Sequence, residues 1–472
     1  MIKYEKNKGI IIEMSIYEEL KRLNIEGKYP FHMPGHKRNF KDIFQGDNIF
    51  QLDITEITGY DDLHQPEGMI RKSMDYIKQV YGTKESYYLI NSSTAGNLAA
   101  ISALCNIGDK ILVSRNCHKS VYNGVELLGL NPVYVYPKID SKGICEGITV
   151  NQIQKIIEEE KDIKMVMIVS PTYEGRTSEI SLISDYLHEK KIPLVVDEAH
   201  GAHFIYNEAF PDSAVSLGAD IVIQSLHKTL PSLTQTGLLH LCSNCVSKEK
   251  MQKELSIFQS SSPSYILMSS IDYCVHKCCE DKKSFQQYVQ NINILRRKLE
   301  SLKHLSIVKT DDIGKIVIST INTNITGQQL FQKLREEYNL ELEMAELYYV
   351  IAMTSVCDSK EGLERLYDAL IEIDSDLQIK DNRIIRFSNI PNRKVMIPKE
   401  AGAKERKAVN FQEAEGKISA DFIYLYPPGI PLVVPGEKIS AGVIEKIKEY
   451  KTNHMKIVGC NKNQINIIYE RI

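Results

Sequence analysis

The stretch Pro193-Leu-Val-Val-Asp-Glu-Ala-His200 decides the fold, together with Asp220-Ile-Val-Ile-Gln-Ser-Leu-His-Lys228 farther along the chain. Each begins with a short apolar run rich in β-branched residues and ends in polar, reactive side chains. Similar runs occur at Lys110-Ile-Leu-Val113 and Met165-Val-Met-Ile-Val169. Apolar strands that alternate with amphipathic helices are typical of a parallel sheet covered on both faces. The pattern therefore predicts a large α/β domain over residues 76–295 with a mainly parallel central sheet.

Two less regular regions flank this predicted core. Residues 1–75 are expected to contribute to the functional site, because they hold the polar segment Asp53-Ile-Thr-Glu-Ile-Thr-Gly-Tyr-Asp-Asp-Leu-His64. A helix is predicted over Ser15–Leu23 within this region. Residues 296–472 are expected to form a smaller α+β C-terminal domain, in which Lys315-Ile-Val-Ile-Ser319 is a predicted strand.

Composition and charge exclude several classes of protein. The 472 residues are 43% hydrophobic and 25% charged, which is ordinary for a globular protein. The net charge of −3 offers no electrostatic footprint for nucleic acid. No apolar run approaches the ~18 residues that a membrane helix needs. A cytoplasmic protein with reduced cysteines and without a membrane partner is therefore expected. No metal site is expected either, because Cys242-Ser-Asn-Cys245 has no second cysteine pair at zinc-finger spacing.

Polar side chains follow all four apolar runs, at Ser114–Ser120, Ser170–Gly175, Asp197–His203 and Ser225–Lys228. In open α/β sheets, ligands bind at the carboxyl ends of the strands. The four strands are therefore predicted to direct these side chains into one cleft.

Lys228 and Asp197 allow more than one interpretation. A buried lysine loses its charge readily and can form a Schiff base with a carbonyl, although a lysine at a strand end can also extend its amine to solvent. An aspartate after a strand can hold the pyridine nitrogen of pyridoxal phosphate (PLP) in its protonated form. The letters Asp197-Glu-Ala-His200 also occur in helicase-like nucleotide sites, but the chain has no Gly-x4-Gly-Lys-Ser/Thr phosphate loop.

Two further segments carry candidate residues. In Asn91-Ser-Ser-Thr-Ala-Gly-Asn97 the hydroxyls precede an apolar helical stretch, so they could bind a phosphate or could simply cap the helix. In Asn116-Cys-His-Lys-Ser120 the histidine could lie on a cofactor ring or could be a hydrogen-bonded structural residue.

Together these segments resemble the PLP-dependent ornithine/lysine/arginine decarboxylases of the aspartate-aminotransferase fold (PLP-dependent transferase fold type I), in particular the short bacterial form. The matching segments are Phe31-His-Met-Pro-Gly-His-Lys37, Asp53-Ile-Thr-Glu56, Asp61-Asp-Leu-His64, Ser92-Ser-Thr-Ala95, His118-Lys-Ser120, Pro171-Thr-Tyr173, Asp197-Glu-Ala199, Ser225-Leu-His-Lys228, Ser262-Pro-Ser-Tyr265, Tyr426-Pro-Pro-Gly-Ile-Pro-Leu432 and Pro435-Gly-Glu437. They run in family order along most of the chain. Many relatives have Gly-Thr-Ser where this chain has Asn91-Ser-Ser-Thr, which leaves open which hydroxyl contacts the phosphate.

The resemblance implies a role for each matching residue. Lys228 would carry the cofactor as a Schiff base, Asp197 would pair with its ring nitrogen, and His118 would stack on the ring. The implied catalytic residues are Lys228, Asp197, His227 and His118. The implied cofactor-binding residues are Ser92, Ser93, Thr94, His118, Asp197, Ala199, Ser225, His227, Lys228, Ser262 and Tyr265, of which the last two would reach the site of a neighbouring subunit. The candidates for the cationic end of the substrate are Glu437, Asp61, Asp62 and Glu174.

The activity implied by the resemblance is decarboxylation of a small basic amino acid to a polyamine-pathway amine, in a homodimer or a higher homo-oligomer. Arginine is favoured over lysine and ornithine, because the short forms include arginine decarboxylases. The alternatives are another fold-type-I PLP enzyme, such as an aminotransferase or a lyase, and a catalytically silent PLP-binding interaction protein.

Overall fold

The structure is a computed structural model that describes residues 22–23, 25–39, 43–44, 46, 48–379, 387, 389–426 and 429–469. The predicted helix over Ser15–Leu23 lies almost entirely outside these residues. In chain order the strands are β1 (Tyr29–Phe31), β2 (Glu85–Leu89), β3 (Lys110–Ser114), β4 (Asn131–Val135), β5 (Ile163–Val169), β6 (Leu194–Asp197), β7 (Ile221–Gln224), β8 (Gly237–Leu241), β9 (Ser306–Ile307), β10 (Lys315–Ser319), β11 (Leu340–Leu342), β12 (Met344–Ala345), β13 (Tyr349–Met353), β14 (Arg406–Asn410), β15 (Ile423–Leu425), β16 (Pro431–Val433), β17 (Ile457–Val458) and β18 (Gln464–Ile468).

The α-helices connect and cover these strands. In chain order they are α1 (Ile49–Leu52), α2 (Met69–Tyr81), α3 (Ser92–Leu104), α4 (Lys119–Leu128), α5 (Val150–Glu159), α6 (Ile180–Glu189), α7 (Leu226–Thr229), α8 (Lys248–Phe258), α9 (Tyr265–Glu280), α10 (Lys282–Leu299), α11 (Gly327–Glu337), α12 (Lys360–Asp376), α13 (Pro398–Gly402) and α14 (Ala441–Thr452). Among the described residues, no helix is both long enough and apolar enough to cross a lipid bilayer.

A seven-stranded sheet forms the centre of the large domain, with the strand order β2-β8-β7-β6-β5-β3-β4. Strands β7, β6, β5, β3 and β4 pair in parallel, and β8 runs antiparallel to both of its neighbours. The mainly parallel sheet predicted from the apolar runs is therefore confirmed. All carboxyl ends except that of β8 lie at one edge.

The central strands are apolar throughout because both faces of the sheet are covered. Val195 and Ile223 pack into the hydrophobic cluster on one face. Val196 and Val222 pack into the cluster on the other face. Successive side chains of a strand point to opposite faces, so a strand buried on both sides needs an uninterrupted apolar run.

Smaller sheets lie outside the central one. Strands β12, β13, β10 and β9 form an antiparallel sheet, and β1 pairs in parallel with β11, so the N-terminal segment is joined to this part of the molecule. Strands β14 and β18 form a pair, and β16, β15 and β17 form a three-stranded sheet. Helix α10 spans the predicted domain boundary after residue 295, and the division of the chain into domains stays a prediction.

Candidate active site

A cavity of about 340 Å³ lies where the carboxyl ends of the central strands meet. Val169 and Asp197 end β5 and β6, and Ser225 directly follows β7. The convergence of strand ends predicted from the sequence is therefore observed for these strands. The cavity is lined by Met33, Ser92, Ser93, Thr94, Asn97, Asn116, His118, Ser120, Val169, Tyr173, Asp197, Ala199, His200, Ser225, His227, Lys228, Glu343, Tyr426 and Ile430.

Lys228 lies in the single turn of helix that follows β7 and presents its amine to the cavity. Its Nζ is 3.2 Å from His200 Nε2. Burial lowers the pKa of the Lys228 amine below its usual value, although the carboxylates of Asp197 and Glu343 oppose the shift. A lowered pKa enlarges the fraction of uncharged amine, which is the form that attacks carbonyls.

Asp197 is 2% exposed, and two donors fix its carboxylate. Its Oδ1 accepts a hydrogen bond from the backbone N–H of Ala199 at 3.1 Å, and its Oδ2 accepts one from Asn97 Nδ2 at 2.8 Å. Asn97 also donates to Ser120 Oγ at 2.9 Å. Asn97 was not among the predicted site residues, although it ends the segment that was singled out for phosphate binding.

The N-terminus of α3 supplies hydroxyls and backbone amides to the same cavity. The hydroxyls of Ser93 and Ser225 are hydrogen-bonded to each other across the junction of α3 and β7. Ser92 Oγ accepts from the backbone N–H of Thr94 at 3.2 Å within the first turn of α3, whose N-cap residue is Asn91. The helix dipole of this end favours an anion.

Two histidines of the cavity are uncharged at neutral pH. Burial lowers the pKa of His227 to about 4, and its Nδ1 lies 2.8 Å from the carbonyl oxygen of Thr236. The Nδ1–H group therefore donates a hydrogen bond to the Thr236 carbonyl, which leaves Nε2 as an acceptor. Burial and the nearby Lys228 also lower the pKa of His118, whose Nδ1 accepts from the backbone N–H of Ser120 at the start of α4.

These residues fit PLP. The cavity volume lies within the range of small-molecule sites. An amine able to react with an aldehyde, a fixed carboxylate for a ring nitrogen and an anion-binding helix end all face it. The Oδ1 atom of Asn97 is buried without a hydrogen-bond partner in the described part of the chain. A polar ligand would supply that partner.

Ser262 and Tyr265 lie outside the cavity of their own chain. The Tyr265 hydroxyl donates to the backbone oxygen of Asp61. The Asp61 carboxylate accepts from backbone N–H groups that precede and begin α2, including that of Ile70 at 2.9 Å. Asp62 accepts from the backbone N–H of His64 at 2.8 Å. In the single chain the side chains of Tyr265, Asp61 and Asp62 serve the local structure, and the predicted site roles of all four residues stay predictions.

Glu437 and Glu174 occupy different surroundings. Glu437 is 1% exposed, and its Oε2 lies 3.2 Å from Arg115 Nη2 and accepts from the backbone N–H of Val434. Arg115 therefore already neutralises the carboxylate that was predicted to recognise a substrate cation. Glu174 lines a neighbouring cavity of about 230 Å³, where it accepts from the Tyr349 hydroxyl at 2.8 Å and where burial raises its pKa.

Three residues near Lys228 were given no site role from the sequence, although His200 lies in the predicted strand-end segment Asp197–His203. His200 bonds Lys228 on one side, and its Nδ1 lies 2.9 Å from Lys315 Nζ on the other. Glu343 accepts from the Tyr173 hydroxyl. Lys315 opens an apolar strand, but Lys110 does so as well, so the sequence does not single out Lys315. Nothing in the sequence around Glu343 marks it.

Comparisons with known proteins match most of the chain. The model of the Orn/Lys/Arg decarboxylase major domain matches residues 15–360, and the model of the C-terminal domain of the same family matches residues 386–458. The chain is 34% identical to the arginine decarboxylase of Bacillus anthracis over 440 residues, which is 89% of each chain. It is 30% identical to the arginine decarboxylase of Bacillus subtilis (strain 168) over 478 residues, which is 97% of each chain. Its fold is similar to that of the Escherichia coli constitutive lysine decarboxylase, with a TM-score of 0.77, 18% identity and coverage of 96% of this chain and 81% of the other.

Proposed function

Because this chain belongs to the Orn/Lys/Arg decarboxylase family, we propose that it binds PLP at Lys228 and uses it to remove the carboxyl group of arginine. The predicted enzyme class, family and fold are confirmed. The chain is a carboxy-lyase of a family that acts on basic amino acids and depends on PLP, and its fold is that of the fold-type-I PLP enzymes. The observation that carries the proposal is the shared cavity of Lys228, Asp197 and the α3 N-terminus.

Each residue of the cavity has a proposed task. Lys228 would hold the aldehyde carbon, and Asp197 would hold the ring nitrogen in its charged form. Ser93 and Ser225, with the amides of α3, would bind the phosphate. When bound, PLP supplies a conjugated ring that takes up the electron pair of the broken Cα–C bond. His118 and Ala199 line the same cavity and would enclose the ring.

Return of a proton to the substrate Cα is assigned to Lys228 rather than His227. The Nδ1 proton of His227 is bound to the Thr236 carbonyl, and Nε2 offers only a lone pair. The Lys228 amine faces the same cavity, and a protonated amine has N–H groups that can donate a proton. His227 would then position the phosphate end of the cofactor through its place in α7.

Arginine is favoured because relatives named arginine decarboxylase match most of the chain at 30% identity or more. The cavity that contains Glu174 also contains Glu346 and shares Asn116 and Ile430 with the PLP cavity. A long substrate could extend from one cavity into the other. We therefore assign the guanidinium to Glu174, since a cation beside this buried carboxyl would offset the cost of its ionisation.

A homodimer is proposed on the basis of exposed apolar side chains in the N-terminal region. Helix α1 has no buried residue, and Phe50 is 85% exposed. Ile57 and Tyr60 are also exposed nearby. A second copy that covers this surface could bring Ser262 or Tyr265 to the partner's cavity, and sedimentation velocity would give the oligomeric state. A cytoplasmic location and a role in polyamine synthesis remain proposals as well.

The test is the visible absorbance of the purified protein with PLP, followed by addition of arginine, lysine and ornithine in turn while carbon dioxide is recorded. We expect a yellow protein that releases carbon dioxide fastest from arginine. Release from lysine or ornithine alone would contradict the proposed substrate. A yellow protein that forms a keto acid would indicate an aminotransferase, and a protein that stays colourless with PLP would contradict the role of Lys228.

A further inference from the structure

His200 lies between two lysines that belong to different parts of the molecule. Its Nε2 is 3.2 Å from Lys228 Nζ, and its Nδ1 is 2.9 Å from Lys315 Nζ. His200 follows β6 of the central sheet, whereas Lys315 opens β10 of the smaller antiparallel sheet. Lys315 is 1% exposed and His200 is 4% exposed. Lys228, His200 and Lys315 therefore form a hydrogen-bonded triad that runs from the cavity into the protein interior.

Close packing holds the inner part of this triad in place. The stem of Lys315 passes over Gly175, where an added Cβ would lie 2.7 Å from Lys315 Cγ. The Lys315 Nζ lies 5.8 Å from the centre of the Tyr173 ring. The same ring meets His200 edge-on at 4.7 Å between centres. The position of the Lys315 amine is thus determined by neighbours on both sides.

The donors and acceptors of the triad restrict the charges that its two lysines can carry. An ammonium group has only N–H donors, and a neutral imidazole has one N–H and one lone pair. Burial and the two lysines keep the pKa of His200 well below its usual value, so the ring is neutral. The ring can accept from one ammonium group and donate to one amine. Because an ammonium group cannot accept the ring N–H, the hydrogen bonds on both sides form only when at least one of the two lysines is uncharged.

We propose that Lys315, acting through His200, holds Lys228 as the uncharged amine that reacts with a carbonyl. The Lys315 ammonium donates to Nδ1, and the Nε2–H then donates to the lone pair of Lys228 Nζ. If Lys228 begins as the ammonium, its proton passes to Nε2 while the Nδ1 proton passes to Lys315 Nζ, and the total charge is unchanged. The proposal rests on the proposed role of Lys228, and Lys315 is a positioning residue because it does not line the cavity.

The surroundings allow this transfer near neutral pH. Burial lowers the pKa of Lys315 to about 8, against the opposing effect of Asp312, and burial also lowers the pKa of Lys228. The distances from His200 to both amines place the three groups within reach of proton exchange. The other titratable groups that face the two amines are Asp197, Glu343, Glu174, Asp312, His118 and His227.

The test measures the apparent pKa of Lys228 in the full-length chain without cofactor. The amine is labelled with fluorodinitrobenzene at a series of pH values, and the Lys228 peptide is quantified by mass spectrometry. Lys315→Met keeps the apolar stem and removes the amine, so we expect the apparent pKa to rise by about one unit, with about tenfold less free amine. Lys315→Arg keeps a cationic donor, so we expect a value at or below that of the unmodified chain. An unchanged pKa in Lys315→Met, or a rise in Lys315→Arg equal to that in Lys315→Met, would overturn the proposal.

Two further variants keep the test decisive. His200→Phe retains a ring against Tyr173 and removes both hydrogen bonds to the lysines, so it should raise the Lys228 pKa as Lys315→Met does. If circular dichroism shows that Lys315→Met is misfolded, His200→Phe takes its place. An unchanged pKa in His200→Phe contradicts the proposal. Lys394→Met removes a partly buried lysine that donates to the Pro132 carbonyl at the opposite edge of the sheet, and it should leave Lys228 unchanged. A rise of the Lys228 pKa in Lys394→Met would mean that the loss of any partly buried lysine raises it. Failure of the proposed function would instead appear as absent PLP binding or absent carbon dioxide release, which the labelling does not measure.

Discussion

Lys228 must be buried enough to lose its charge and accessible enough to react. Its place in the one-turn helix after β7 satisfies both conditions, because the stem is enclosed and the amine faces the cavity. We expect Lys228→Ala to lower turnover at least about a thousandfold and to remove the visible absorbance of the bound cofactor. Lys161→Ala, which alters an exposed lysine, should have neither effect. Turnover near the wild-type rate in Lys228→Ala, without added amine, would exclude the Schiff base.

Asp197 tests the electrostatic part of the site. Its carboxylate is fixed by Asn97 and by the backbone of Ala199, so no other acid can take its position without rearrangement. We expect Asp197→Ala to lower kcat about a hundredfold or more while PLP still binds, because the charge that stabilises electron uptake is lost. Asp220→Ala removes a buried aspartate at the amino end of β7 and is the matched control. Equal losses of kcat in both variants would indicate damage to the fold.

Helix α3 joins the fold to the site, because its first turn faces the cavity and its middle packs on the sheet. Gly96 is the point of contact: an added Cβ would lie 2.7 Å from Leu89 Cδ1 and 2.9 Å from Ile223 Cγ2, both in the core. We expect Gly96→Val to lower the free energy of unfolding by about 1–3 kcal/mol and to weaken PLP binding about tenfold, since α3 is displaced. Leu104→Val on the same helix should leave PLP binding unchanged. Urea unfolding and PLP titration provide the two measurements.

A buried polar network across the sheet makes the stability of the entire protein depend on pH. His240 binds Ser86 and Gln224, and burial lowers its pKa to about 3. In the unfolded chain His240 binds a proton near pH 6.5, whereas in the folded chain it binds one only near pH 3. This histidine therefore makes the free energy of unfolding fall as pH falls from about 6.5 toward 3. Between pH 7 and pH 5 the loss is about 2 kcal/mol.

His240→Gln should remove this dependence, and the exposed His454→Gln should not. Urea unfolding at pH 5 and pH 7 for the three proteins gives the comparison. The same slope in His240→Gln as in the unmodified chain would contradict the assignment.

Local patterns were sufficient for the central architecture. The strand Lys315–Ser319 was predicted with the observed bounds, because apolar periodicity reports directly on burial. The site residues on β6, β7 and α3 could also be predicted. Those on β6 and β7 follow apolar runs, whose ends parallel strands bring to one edge of the sheet, and those on α3 precede an apolar helical stretch.

Contacts between distant segments could not be predicted from those patterns. Glu437 bonds Arg115, and Lys315 reaches His200, because separately predicted elements pack together. Tyr265 bonds the Asp61 backbone for the same reason. The sequence by itself thus determined the sheet, the family and the amine and carboxylate at the strand ends, since these depend on neighbours along the chain. Only the tertiary structure decided which charges are paired and how Lys228 is held, since those properties depend on distances across the chain.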